Sequence, residues 1–193
     1  MPPEPSAGAL ITLEEVTVGY TGPVAGPVSF TVHAGEVLGL GGANGVGKST
    51  LLRAITGTAR VHSGAIRRMP GLRISHHQQR PARPPELPLL GHELLRLLDA
   101  DHVREPLAVI PLMDKPVRAM SGGQFQLLQT WACFAAPVDL ILLDEPTNNL
   151  DSQAIATLSD LLHNLGEQRA VLLVSHEQQF LQEHCDRIVD LGT

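Results

Sequence analysis

VLGLGGANGVGKST, residues 37–50, is the stretch on which the fold turns. Val37 to Leu40 is a short apolar run of the kind that forms a buried strand, and from Lys48 to Gly57 the chain has helical character. Between them lies a glycine-rich loop. Gly42, Ala43, Asn44, Gly45, Val46, Gly47, Lys48 and Ser49, followed by Thr50, fit the pattern GxxxxGK[ST], and strand–loop–helix is the context in which that pattern cradles phosphate. Glycines let the backbone curl until successive N–H groups point inward at phosphate oxygens, and the helix N-terminus adds its dipole. Lys48 is then placed to neutralise the β and γ phosphates, and Ser49 to ligate a metal ion. A glycine-rich turn that only caps a helix is the plainer alternative.

The second half of such a site is found downstream. Leu140 to Leu143 is wholly apolar and bounded by Asp139 and Asp144, as expected of a buried parallel strand. A strand ending in a carboxylate delivers negative charge to the metal beside the phosphates, which makes Asp144 the candidate Mg²⁺ residue. Glu145, one residue on, can accept a proton from an attacking water. Around these two stretches the later chain alternates helix and strand: helices from Ser121 to about Ala136, Asp151 to Gly166 and Glu177 to His184, strands from Ala170 to Val174 and Arg187 to Leu191. That alternation predicts an α/β fold of the P-loop type with a mostly parallel sheet. Ile11 to Tyr20 and Val28 to Val32 read as an antiparallel pair in front of it, and Ser63 to His77 as a second hairpin-like piece. Residues 80–88 carry four prolines and read as a linker, Gly91 to Ala100 as an amphipathic helix, and 80–136 as a short helical subdomain. The proline-rich start, 1–9, is expected to be disordered.

The bulk numbers narrow the function. At 193 residues, 43% of them hydrophobic, the chain suits one domain. Fourteen Lys plus Arg against 20 Asp plus Glu leave a formal charge of −6, which offers no global positive field for nucleic acid. Cys133 and Cys185 stand apart, as ordinary thiols of a reducing compartment do. No apolar run is long enough to span a membrane and no signal peptide is legible, so the expected location is cytoplasmic.

Between the two nucleotide motifs lies MSGGQ. Ser121, Gly122, Gly123 and Gln124 resemble the signature sequence of ATP-binding-cassette proteins, although Ser121 and Gln124 also fit a helix capping box. With DEPTNNLD after it, the chain from about Leu10 to Leu191 resembles an ATP-binding-cassette transporter ATPase subunit. The resemblance implies ATP and Mg²⁺ as cofactors, and a second copy of the chain whose signature glycines meet the phosphate bound by the first. It implies further positions one by one. Tyr20 matches the aromatic that stacks on adenine, or is simply a strand-end aromatic. Gln79 matches the glutamine that senses Mg²⁺ and water, with Gln78 its rival. Asp151 matches the loop that crosses the dimer interface, or is a plain helix cap. His176 matches the switch histidine that hydrogen-bonds the γ phosphate, with a solvated loop histidine as the alternative.

The short path RRMPGLRISHHQQ and the later LPLLGHELLRL resemble zinc and manganese uptake subunits. That subfamily implies permease chains in the membrane, an extracytoplasmic solute-binding protein acting through the permease, and a peripheral position on the inner face of the cell membrane. The nine His carry no metal-ligand spacing, and adjacent His76 and His77 on a strand would face opposite ways. DEPTNNLD and VSHEQQFL suggest a competing class, the ribosome-associated translation-factor cassette, although such proteins resemble two cassettes joined by a basic linker and this chain has one and is acidic; another non-transport ATPase of related fold is the third alternative. Ala43, Val46, Met120, Phe125 and Gln126 depart from the common family choices.

Overall fold

The computed structural model describes residues 8–79 and 88–192. Two sheets form. β1 (Ala9–Gly19), β2 (Pro23–His33) and β4 (Arg60–Arg68) make an antiparallel sheet in the order β2-β1-β4. β3 (Val37–Gly41), β5 (Ile74–His77), β6 (Leu140–Asp144), β7 (Ala170–Val174) and β8 (Arg187–Asp190) make a parallel sheet in the order β5-β6-β7-β3-β8. The helices are α1 (Lys48–Ile55), α2 (Gly91–Leu97), α3 (Gly122–Ala135), α4 (Ser152–His163) and α5 (Gln178–His184).

Strand periodicity explains why the central strands are apolar throughout. Leu140, Leu142, Leu172 and Val174 enter one hydrophobic cluster, with β1, β3 and α1; Ile141, Leu143, Val171 and Leu173 enter the other, with α3 and α4. Both faces of the sheet are covered, and each such side chain, at 0% exposure, contributes about 1.5–3 kcal/mol. Leu95 of α2 and Val109, Leu112 and Val117 share the second cluster with α3, so the helical segment and one face of the sheet form one continuous core.

The expected hairpin over 63–77 does not form. β4 runs beside β1, with Leu13 opposite Ile66, whereas β5 crosses to the parallel sheet, with His77 opposite Leu143. Pro70 and Gly71 separate the two strands, and Gly71 takes φ 76, which turns the chain out of the first sheet. Nor is the whole of 1–9 outside the fold: Ala9 is buried and pairs with His33, and the Gly8 carbonyl accepts from the Ala34 N–H. Residues 1–7, and the expected linker but for Pro88, lie outside the described residues. Helices end earlier than their apolar spacing suggests. α2 stops at Leu97 because Asp99 adopts φ 56, and Ser121 and Asp151 stand as N-caps before α3 and α4.

Candidate functional site

Because β3, β5, β6 and β7 are parallel, the loops after their carboxyl ends meet at one edge of the sheet, the usual place for a ligand in an open α/β sheet. The loop after β3 is the glycine loop. Gly42, Gly45 and Gly47 have φ 126, 84 and 99, a conformation that side-chain-bearing residues rarely take. At Gly47 space adds a second reason, since a Cβ would overlap that of Ala25 in β2. Lys48 opens α1, is 6% exposed, and donates from Nζ to the carbonyls of Gly42 at 2.7 Å and Ala43 at 3.0 Å.

The turn after β6 brings the carboxylates. Ser49 Oγ donates to Asp144 Oδ1 at 2.9 Å. Asp144 is 2% exposed, and burial pushes its carboxyl above the usual range; Glu145 adds to this, while the Ser49 hydrogen bond, Arg53 and Lys48 oppose it. Glu145, at φ 51, directs its buried carboxylate to His176, with Nδ1 at 2.6 Å from Oε2. His176 follows β7 and is exposed on its other side. Gln79, two residues beyond β5, is also exposed.

These groups surround one cleft of about 350 Å³, lined by Val24, Asn44, Gly45, Gly47, Lys48, Ser49, Thr50, Gln79, Glu145 and His176. Gln78 instead lines a different cleft with His76 and His77, which separates it from its rival Gln79. Gly42, Ala43 and Val46 shape the loop without lining the cleft, and Asp144 lies beneath it through Ser49. Tyr20 does not line it either; 46% exposed, it accepts a hydrogen bond from Arg53 Nη1 at 2.7 Å.

Ser121, Gly123, Gln124 and Asp151 line a separate cleft of about 260 Å³. The capping box is formed there: Ser121 Oγ accepts from the Gln124 N–H at 3.2 Å, and Gln124 Oε1 accepts from the Ser121 N–H at 3.1 Å and from Lys115 Nζ at 2.7 Å. Asp151 likewise caps α4, accepting from the Ala154 N–H at 2.9 Å. The two glycines of the motif differ. A Cβ at Gly122 would meet nothing within 4 Å, whereas at Gly123 it would overlap the carbonyl oxygen of Asn149.

Val24 and Gln126 lie outside the sequence-derived set. Val24 reaches the cleft only because β2 extends to Pro23, five residues before the expected strand start. Gln126, noted as a departure from the family pattern, is 4% exposed, and its one legible sign was a polar residue among Phe125, Leu127 and Leu128.

Against known proteins, residues 25–148 match the ABC transporter family model. A zinc import ATP-binding protein of Marinobacter nauticus is 33% identical over 95% of this chain and 74% of its own. Among solved structures, an ATP-binding subunit of an ABC transporter aligns over 95% of this chain and 86% of its own, with 24% identity and a TM-score of 0.81. A chain from the complex of an archaeal ribosomal stalk protein with the archaeal ribosome recycling factor aligns over 98% of this chain but 38% of its own, with 26% identity and a TM-score of 0.81. No helix among the described residues is long and apolar enough to cross a membrane. With a family match over more than half its length, on the fold and glycine-loop cleft described above, the chain belongs to the ABC transporter family, as an ATP-binding transporter subunit that hydrolyses ATP.

Proposed function

We propose that this subunit energises uptake of a divalent metal cation of the zinc or manganese type, as two copies set head to tail beneath separate permease chains on the cytoplasmic face of the membrane. The observation that carries the two-copy reading is the separation of the clefts: Lys48, Ser49, Glu145 and His176 surround one, Ser121, Gly123 and Gln124 the other. A second copy turned about a two-fold axis brings the signature cleft of each chain over the loop of its partner, and two equivalent sites result.

Within each site the chain positions groups and stabilises charge. The amides of 42–50 and Lys48 take the phosphates, and Lys48 exchanges two neutral carbonyl acceptors for anionic oxygens. Ser49 and Asp144 present hard oxygen donors in mutual contact, a set that suits Mg²⁺, which would neutralise phosphate charge when held there. Glu145 takes the proton of the attacking water, and His176 holds the Glu145 carboxylate and faces the γ phosphate. Gln79, on the loop after β5, reports occupancy towards the helical segment, and Tyr20 stacks on adenine once released from Arg53. Ser121, Gly122, Gly123, Gln124 and Asp151 serve the partner's nucleotide. Leu97, Leu98, Val103, Leu107 and Ile110 leave apolar surface on the helical segment for the permease, through which an extracytoplasmic solute-binding protein would act.

Steady-state turnover tests the chemistry: Glu145→Gln should lower kcat at least about a hundredfold with little change in nucleotide affinity, and near-normal turnover would remove Glu145 as the base. Detergent extraction with the chain as bait tests the partner. A co-purifying permease that takes up radioactive zinc or manganese supports the metal reading; one that moves neither ion ends it. The likeness to a ribosome-recycling complex supports a second reading, a ribosome-associated cassette, which ribosomes in place of a permease in that eluate would favour.

A further inference from the structure

The turn after β6 holds Glu145 in a left-handed conformation that residues with a side chain seldom adopt, so something has to fix it. The Glu145 N–H is taken by the Val174 carbonyl at 2.9 Å, which ties the turn to β7. On the other side stands Gln126 of α3. Its Nε2 donates to the Pro146 carbonyl at 2.9 Å and reaches the Glu145 carbonyl at 3.4 Å. Two carbonyl acceptors determine which way the amide faces, since only the NH₂ end can donate.

An amide at this position is costly to bury unless its hydrogen bonds are made, and Gln126 is buried among the residues of α3. Gln126 therefore has its use in those two carbonyls. We propose that Gln126 is a positioning residue for ATP hydrolysis: it sets the Glu145–Pro146 backbone, and with it the angle at which the Glu145 carboxylate meets water and His176. This rests on Glu145 being the base.

The same contact gives α3 a second task. Its first turn begins at Ser121 and Gly122, where the partner's nucleotide is proposed to sit, and Gly123 is pressed against the Asn149 carbonyl. Gln126 is one turn further along the same helix. α3 thus grips the segment 145–149 at two points, and a displacement of its N-terminus by the partner's ATP is delivered to the base of its own site.

The test compares full-length Gln126→Met, which keeps side-chain length without a donor, and Gln126→Leu, which is also without a donor and differs from it in shape. Both should lose kcat about tenfold or more while KM for Mg-ATP and the Kd for nucleotide stay within about twofold. Should Met lower the thermal midpoint by more than about 10 °C, Gln126→Asn, one methylene short of both carbonyls, predicts the same kcat loss. Equal loss of kcat and nucleotide affinity would mean a structural role only and overturn the proposal. So would turnover within about twofold of wild type in Gln126→Met. Glu145→Gln assayed in parallel separates the two failures: if it too stays active, the base is misassigned; if it alone is inactive, Gln126 is.

Discussion

His77 and Asp144 show how differently a residue can be read and placed. Both lie at the ends of neighbouring strands and both are 2% exposed, but a strand ending in Asp is legible as a site, and a histidine pair is legible only as alternation. The alternation is correct: His77 is buried, and His76 stands on the opposite, partly exposed side. What sequence does not reveal is the energetic consequence. Burial first, then the neighbouring His76, holds the His77 imidazole down at about 4, against a partial upward pull from the backbone of His77 and Asp144. A depressed imidazole pKa means that the unfolded chain takes up the proton first as pH falls below about 6.5, so stability is full above that value and drains away towards 4, by roughly 3 kcal/mol in all. Urea unfolding at pH 7 and pH 5 should therefore differ by about 2 kcal/mol from this group, and His77→Gln should lose that increment. An equal pH dependence in the variant would remove His77 as its cause. Burial also pushes both thiols, Cys133 and Cys185, up to about 12, at Cys185 with the neighbouring Asp186 adding to it, which disfavours the thiolate.

At the scale of elements, the helices and buried strands around the glycine loop were legible because their periodicity is set by two covered faces. The 63–77 hairpin was misread for a physical reason: a Pro-Gly break specifies a turn but not which sheet the chain re-enters, and that depends on β6, more than sixty residues downstream in sequence. Nor could sequence decide between a helix cap and a signature for Ser121 to Gln124. The cap forms, and it leaves the glycines to be sorted by space. Gly123→Ala drives a methyl group into the Asn149 carbonyl and should cost about 1–3 kcal/mol in thermal or urea unfolding. Gly122→Ala has open space, so folding stability should change by no more than about 1 kcal/mol. ATP turnover should nevertheless fall in Gly122→Ala if a foreign phosphate approaches there. Unimpaired turnover in that stable variant would place the partner's nucleotide elsewhere.

For the molecule as a whole, the informative fact is that the glycine-loop cleft and the cleft at Ser121, Gly123 and Gln124 are separate within one chain. If sites are shared between copies as proposed, Lys48→Ala and Ser121→Ala, each inactive alone, should complement when mixed, because a mixed pair then collects both lesions in one site and leaves the other intact. Random pairing sets the recovery at about a quarter of wild-type turnover. A chain carrying both changes, mixed with wild type, should spoil both sites of every mixed pair instead. No recovery in the first mixture would count against sites shared between copies. Sequence made both motifs visible but not their separation, since distance within a fold is a property of the topology and not of either motif.

The lysine that rests on its own loop has one more consequence. With its ammonium engaged by two backbone oxygens, Lys48 ties the first turn of α1 back to the start of the loop, so the bend from strand to helix is braced by a side chain as well as by the glycines. On the reading proposed above, a loop held in this way offers its amides to phosphate oxygens in general, whichever molecule carries them. Preference for a whole nucleoside triphosphate would then arise farther out, from the group that grips the base and, where sites are shared as proposed, from the second copy beside the terminal group.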